Sequence, residues 1–232
     1  MEAGARTHAT PHRRRPGARR IAAVAAWAAL AGVAIGFGVG LHYLLAKPAS
    51  APAAAATAVK LDGEATWAPG AQAAPPITTL RDQTGRLFSL NSLRGRTVAM
   101  VFFDSYCRQA CPLQGRALAV AEAALPAAQR PVLVAVSVNP RDTPASTRDA
   151  VRRWGLAQTG SWHWLRGSHA QLALVWKAYR IFVAPPAHGD ISHTEALYLI
   201  DRGGYERSAY LYPFVPHFVT SDLRTLASGR EG

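Results

Sequence analysis

The stretch that decides the fold is Val98-Ala-Met-Val-Phe-Phe-Asp-Ser-Tyr-Cys107-Arg-Gln-Ala-Cys111, in which an apolar run leads directly to the two cysteines of the chain. A short apolar run of this kind predicts a buried β-strand. We expect a helix to follow it, from Cys107 to Leu125. Residues four apart on a helix share one face, so both sulfurs can reach one metal ion or each other. The stretch therefore predicts a redox site or a soft-metal site where a strand ends.

Strands and helices alternate along the rest of the chain. Thr143 and Ser168 each precede a helical pattern as N-cap residues, and Gly229 follows the last one. The predicted strands are 85–90, 97–103, 132–138, 162–165, 197–201 and 205–212, and the predicted helices are 107–125, 144–154, 168–179 and 216–227. Strand–helix–strand units followed by a hairpin and a final helix give the order of thioredoxin. We therefore expect an α/β, thioredoxin-like domain.

A basic and then apolar segment precedes this domain. Residues 1–20 carry six arginines and one acidic residue, and residues 21–46 contain no Asp, Glu, Lys or Arg. About 20 helical residues span a hydrocarbon core of about 30 Å. We expect a basic cytoplasmic arm (1–20) and a single transmembrane helix (21–46) in the cytoplasmic (inner) membrane, with the folded domain on the extracytoplasmic, periplasmic side. A cleaved signal peptide is the alternative, because Ala-rich sites lie near residues 49–56.

The charge and composition of the chain also bear on its partners. Residues 47–75 are rich in Ala and Pro and predict a linker to a domain that spans residues 76–232. The formal net charge of +12 raises the question of nucleic acid binding. Outside the arm, however, the arginines are scattered and do not interleave with aromatic residues. The charge pattern therefore predicts orientation in a membrane and excludes nucleic acid as a partner.

In an extracytoplasmic domain the cysteine pair has two interpretations, a structural disulfide or a working dithiol. Paired cysteines there usually form a structural disulfide. A bridge between residues four apart closes a very small loop, so its entropic stabilisation would be small, and the spacing favours a working dithiol. Thiolates prefer Cu(I), and the positive end of a helix dipole favours the thiolate form. We therefore expect lowered pKa values at Cys107 and Cys111.

Three motifs, in order, resemble the SCO/SenC family of copper-binding assembly factors. They are Cys107-Arg-Gln-Ala-Cys111-Pro112, Ser137-Val-Asn-Pro-Arg-Asp142-Thr-Pro144, and Ser192-His193 ahead of Leu197-Tyr-Leu-Ile-Asp201-Arg-Gly203. The resemblance covers residues 75–228. It implies that Cys107, Cys111 and His193 bind copper, as Cu(I) or Cu(II). It further implies delivery of copper to the dinuclear copper centre of cytochrome c oxidase, or reduction of the cysteines of that centre before loading.

Two more positions bear on this implied site. Arg108 stands where the family usually has a proline, which changes the turn and the local charge. We expect Arg108 to modulate redox potential and copper affinity rather than to change the ligand set. Asp142 matches a family acid near the site, where it either acts on the metal or fixes the loop before Pro144.

Three classes of function compete. The first is a copper metallochaperone, and the second is a thiol–disulfide oxidoreductase acting on cysteines of an extracytoplasmic partner. The third is a thiol peroxidase or redox sensor, which would use one activated cysteine beside a peroxide pocket. An oxidoreductase of this fold would prefer two residues between its cysteines and a proline at the entry to the facing strand, where this chain has Ser192-His193-Thr194. We expect a metallochaperone rather than an enzyme, with the copper-receiving oxidase subunit, other copper chaperones and thiol reductants as partners.

Overall fold

The computed structural model describes residues 59–158, 160–184 and 191–229. The predicted cytoplasmic arm, the predicted membrane helix and most of the predicted linker lie outside these ranges. Within them, no helix combines the length and the apolar composition that a bilayer span requires.

A six-stranded mixed sheet lies at the centre of the domain. Its strands are β1 (Ala65–Thr66), β2 (Val98–Phe103), β3 (Val132–Ser137), β4 (Trp162–Leu165), β5 (Ala196–Ile200) and β6 (Glu206–Leu211), in the spatial order β1–β6–β5–β2–β3–β4. Strands β2, β3 and β4 are parallel, whereas β5 is antiparallel to β2 and β6, and β1 is antiparallel to β6. The mixed sheet agrees with the predicted α/β class, and β2 lies at its centre.

Helices cover both faces of the sheet. They are α1 (Ala110–Ala123), α2 (Pro144–Arg153), α3 (His169–Ala178) and α4 (Pro216–Ser228). Successive side chains of a strand point to opposite faces. Accordingly Phe103 and alternate residues of β2 join a core with α1, α2 and α4, and Phe102 joins a second core with α3. All six residues of β2 are buried, which explains their continuous apolar run.

Helix α1 begins at Ala110, three residues later than the sequence pattern predicts. A turn intervenes, in which the N–H of Cys107 donates to the carbonyl of Asp104 at 3.1 Å. The Asp104 side chain accepts the N–H of Tyr106 at 2.9 Å, and such local bonds from an aspartate compete with helix formation. Cys107 therefore lies in the turn, and Cys111 lies in the first turn of the helix.

The folded domain begins earlier than the predicted boundary at residue 76. Strand β1 lies inside the predicted linker, and Leu61 is only 7% exposed. The N–H of Asp62 also donates to Asp222 on α4 at 2.8 Å. A two-residue edge strand leaves no periodic pattern in a sequence, so the composition of this segment predicts a linker although it is part of the folded domain. Conversely, the strand predicted at 85–90 is absent from the described chain, where a 3-10 helix starts at Leu90.

Candidate functional site

The candidate site lies where β2 ends. Strand β5 runs antiparallel to β2, with Leu197 opposite Val101, so the residues before β5 continue alongside the turn after β2. His193 lies in that approach, and an isolated bridge pairs it with Val183. Sheet topology thus brings His193 to the start of α1, although His193 is 82 positions along the chain from Cys111.

The structure places Cys111 in contact with both His193 and Cys107. The Cys111 sulfur lies 3.6 Å from Nε2 of His193. The backbone N–H of Cys111 donates to the Cys107 sulfur at 3.4 Å, and the two thiol side chains are themselves hydrogen-bonded. Neither cysteine is in a disulfide. Cys111 is completely buried, whereas Cys107 is 7% exposed.

The imidazole of His193 is oriented for binding through Nε2. Its Nδ1 lies 3.1 Å from the backbone carbonyl of Thr194. A carbonyl can only accept, so Nδ1 carries the hydrogen and Nε2 presents its lone pair to Cys111. Burial lowers the pKa of His193, against smaller opposing effects of the Thr194 carbonyl and the Asp104 charge. Neutral imidazole is the form that binds metals.

The thiol of Cys111 behaves differently from the prediction. Its hydrogen bond with Cys107, followed by burial, raises the pKa of Cys111 instead of lowering it. The expectation from the helix dipole is therefore wrong for this residue, because the neighbouring sulfur and the apolar surroundings outweigh the dipole. Cys111 keeps its proton in the metal-free protein, and a metal would have to displace it.

The spacing of the donors fits a soft metal ion. Metal–sulfur bonds of about 2.3 Å and metal–nitrogen bonds of about 2.0 to 2.1 Å, at tetrahedral or trigonal angles, put two donors on one ion about 3.5 to 3.8 Å apart. The Cys111–His193 separation of 3.6 Å falls in this range. In the part of the chain that the structure describes, no three His, Cys, Asp or Glu side chains form a closed metal-binding group. The site therefore consists of the Cys111 sulfur next to Nε2 of His193, with the Cys107 side chain hydrogen-bonded to Cys111.

Asp142 supports the turn from the adjacent loop. Its carboxylate accepts the N–H of Ser105 at 3.2 Å, the hydroxyl of Ser105 at 2.6 Å and the hydroxyl of Ser137 at 2.6 Å. Burial raises the pKa of Asp142 to about 6, although the bonds from Ser105 and Ser137 oppose this. These contacts favour the interpretation in which Asp142 fixes the loop before Pro144 and does not act directly on a metal.

Other residues of the site carried no decisive signal in the sequence. Asp104 is 3% exposed and also accepts the side-chain N–H of Asn139 at 3.0 Å, so it ties the cysteine turn to the loop after β3. An aspartate directly after an apolar run was the only signal for Asp104. Ser105 had no signal, and Ser137 was marked only as the first residue of the second family motif. Arg108 is exposed and lines an open groove beside Cys107.

Comparison with known proteins places this chain in a family. The sequence pattern of SCO1/SenC matches residues 72–228. The chain belongs to the SCO1/SenC family. Among curated proteins, no sequence matches this SCO1/SenC protein.

Solved structures with the same fold include three Sco proteins. Bradyrhizobium japonicum ScoI with copper bound is 26% identical, with a TM-score of 0.55 over 66% of this SCO1/SenC chain and 99% of that chain. Yeast Sco1 with copper bound is 20% identical, with a TM-score of 0.56 over 68% and 90% of the two chains. BsSco, a member of the Sco family of cytochrome c oxidase assembly proteins in which a disulfide switch is identified, is 22% identical, with a TM-score of 0.59 over 71% and 98%.

Proposed function

We propose that this SCO1/SenC protein is a copper metallochaperone that holds its cargo through Cys107, Cys111 and His193. The observation that carries the proposal is the 3.6 Å separation of the Cys111 sulfur and Nε2 of His193. Two thiolates and an imidazole suit Cu(I), and the imidazole extends the set to Cu(II). The copper bound in Bradyrhizobium japonicum ScoI, which is 26% identical, supports the same cargo here.

The recipient in this proposal is the copper-receiving subunit of cytochrome c oxidase, at its dinuclear copper centre. Family membership supports it, since BsSco is described among cytochrome c oxidase assembly proteins. Three protein donors leave room for a further ligand, which a recipient would supply during transfer. We place the domain on the extracytoplasmic side of the membrane, anchored by residues 21–46, because the arginines lie before that apolar stretch.

A second candidate is thiol–disulfide exchange with cysteines of an extracytoplasmic partner. The hydrogen bond between the two thiols favours it, because it holds the sulfurs within reach of each other. In such a step the Cys107–Cys111 dithiol would form a disulfide, and its two electrons and two protons would convert a partner disulfide to two thiols. Mass spectrometry of the oxidised, metal-free chain should show a loss of two hydrogens that a reductant restores.

The copper proposal is tested by metal stoichiometry on the full chain. We expect one copper per chain after loading with Cu(I), and loss of retention in Cys107→Ala, Cys111→Ala and His193→Ala. His217→Ala is the matched control, because His217 is exposed on α4. Full retention of copper in His193→Ala would remove that residue from the site.

Oxidase assembly in cells separates the two candidates. Cells that lack this chain should regain oxidase activity on added copper if the chain delivers copper. Recovery with an added thiol reductant, and none with copper, would instead favour reduction of the recipient's cysteines.

A further inference from the structure

A basic groove opens beside Cys107. It has a volume of about 580 Å³, and the residues that line it include Tyr106, Arg108, Arg116 and Arg153. No carboxylate is among the described residues that line it. The groove therefore brings three arginines together with one of the two cysteines.

The arginines of the groove come from two helices. Arg116 is exposed on α1, one turn after Pro112. Arg153 ends α2, and its Nε donates to Asp149 at 2.6 Å, while Arg152 bonds to the other oxygen of Asp149 at 3.2 Å. Asp149 thus orients Arg153 but is shared between two arginines, so the end of α2 stays positive.

The two sulfurs differ in their access to this groove. Cys107 lines it, whereas Cys111 does not and is completely buried against His193. A group that approaches from the groove therefore meets Cys107 first, after passing the arginines.

We propose that this groove is a docking surface for an acidic segment of a partner protein, which it steers to Cys107. The inference rests on the proposed function, in which a partner exchanges sulfur ligands with this site. The occupant is acidic because the described residues that line the groove include three arginines and no carboxylate. It is a protein segment because the groove is open and bordered by Tyr106, which is 50% exposed, and tyrosine and arginine are the side chains that anchor protein interfaces.

Electrostatic steering acts mainly on the rate of encounter. Complementary charge around a site raises association rates by about 10-fold to 1,000-fold, and salt screens the effect. The groove should therefore make the reaction of Cys107 faster with acidic partners than with basic ones, and this preference should fade at high ionic strength.

The test uses the full chain with Cys111→Ser, so that Cys107 is its one reactive thiol. The probes are single-cysteine peptides carrying four Asp, four Ser or four Lys, each activated as a mixed disulfide with 2-thiopyridine. The Cys107 thiolate attacks the peptide sulfur, a new protein–peptide disulfide forms, and the old disulfide breaks to release 2-thiopyridone, whose absorbance gives the rate.

We expect the acidic peptide to react at least about 10-fold faster than the basic one at low salt. Arg116→Glu with Arg153→Glu should abolish or invert this ratio, and the Gln versions should reduce it. Arg224→Glu is the matched control, because Arg224 is exposed on α4 and does not line the groove. The uncharged peptide corrects for any change in the reactivity of the thiol itself.

An equal rate for acidic and basic peptides, or a ratio unchanged by the double charge reversal, would overturn the proposal. The proposal would also be overturned if the arginine substitutions changed the rate at which Cys107 reacts with oxidised glutathione but not with the peptides. The groove would then be a pocket for a small anion. Copper stoichiometry of the unmutated chain is measured separately. If the peptide preference is absent but the chain still binds copper, the docking proposal alone is wrong. If the chain fails to bind copper but the peptide preference is present, the proposed function alone is wrong.

Discussion

The backbone N–H of Cys111 donates to the sulfur of Cys107 at 3.4 Å, so one cysteine of the pair helps to cap the helix that carries the other. The first N–H groups of a helix lack partners within it. The N-cap residue of α1, Gln109, makes no side-chain capping bond. The Cys107 sulfur therefore has a structural role in the metal-free protein.

This relationship predicts a stability cost for removing the sulfur. Cys107→Ala should lower the free energy of unfolding of the metal-free chain by about 1 kcal/mol, the usual effect of losing a helix cap. Cys107→Ser keeps a side-chain acceptor and should lose less. Urea unfolding under reducing conditions measures the difference, and equal stability of the unmutated chain and Cys107→Ala would show that the N–H···S bond contributes nothing.

The central strands were predictable from the sequence because they are buried on both faces. The apolar runs at 98–103 and 132–137 are β2 and β3, each with every residue buried. Thr143 and Ser168 cap α2 and α3 as predicted, since each side chain accepts a backbone N–H three residues on. The start of α1 was not predictable, because it depends on bonds from Asp104 that only the folded turn defines.

The candidate site was predictable only in part. Cysteine spacing pointed to a paired sulfur site, but His193 came from family resemblance, since no local pattern links residues 82 positions apart. The antiparallel placement of β5 beside β2 is what joins them. The raised pKa of Cys111 could not be predicted from the sequence either, because it arises from the contact with Cys107 and from burial.

A second prediction concerns the segment that carries His193. The hydroxyl of Thr194 accepts the N–H of Phe182 at 3.1 Å, and the Thr194 N–H donates to the Phe182 carbonyl at 2.9 Å. Thr194→Ala removes the first bond and loosens the backbone whose carbonyl orients the imidazole. Loss of such outer contacts typically weakens metal binding by about 10-fold to 100-fold. Competition for Cu(I) with a chelator should show that the affinity of Thr194→Ala for copper is at least about 10-fold lower than that of the unmutated chain.

Thr194→Ser is the matched control for this change. Serine keeps the hydroxyl, so its copper affinity should stay close to that of the unmutated chain. Equal affinities for the Ala and Ser variants would mean that the Phe182 bond does not hold the imidazole in place.

A third prediction tests an ion pair that follows α3. Arg180 donates to Glu206 at 2.8 Å, where the Glu206 side chain is fully buried and that of Arg180 is 52% exposed. The Arg180 guanidinium also lies 5.9 Å from the ring of Trp67 and 5.8 Å from that of Tyr198. Breaking a fully buried pair costs about 3 to 5 kcal/mol, and exposure of Arg180 reduces this to about 1 to 2 kcal/mol for Arg180→Ala.

Glu206→Gln gives the comparison for Arg180→Ala. Burial raises the pKa of Glu206 against the opposing effect of Arg180, so a neutral amide should be tolerated better than an unpaired carboxylate. The double variant should then be more stable than the sum of the single losses predicts. Strict additivity in urea unfolding would contradict a coupling between these two side chains.

The fourth prediction uses the pH dependence of stability at Asp142. Its pKa in the folded protein is about 6, above its ordinary value of 3.8, because burial outweighs the bonds from Ser105 and Ser137. The charged groups around it are Asp104, which raises this pKa, and Arg166, whose own pKa is lowered by burial against the opposing effect of the Asp142 carboxylate. Between these two pKa values the folded state binds more protons than the unfolded state, so stability falls as the pH rises.

Asp142→Asn removes this proton while keeping the shape of the side chain. Relative to the variant, the unmutated chain should lose about 2 to 3 kcal/mol of unfolding free energy as the pH rises from about 4 to about 7. Hydrogen bonds altered by the amide contribute equally at every pH and cancel from this slope. Parallel pH profiles for the unmutated chain and Asp142→Asn, from urea unfolding of metal-free protein, would show that Asp142 is ionised throughout and that burial does not control it.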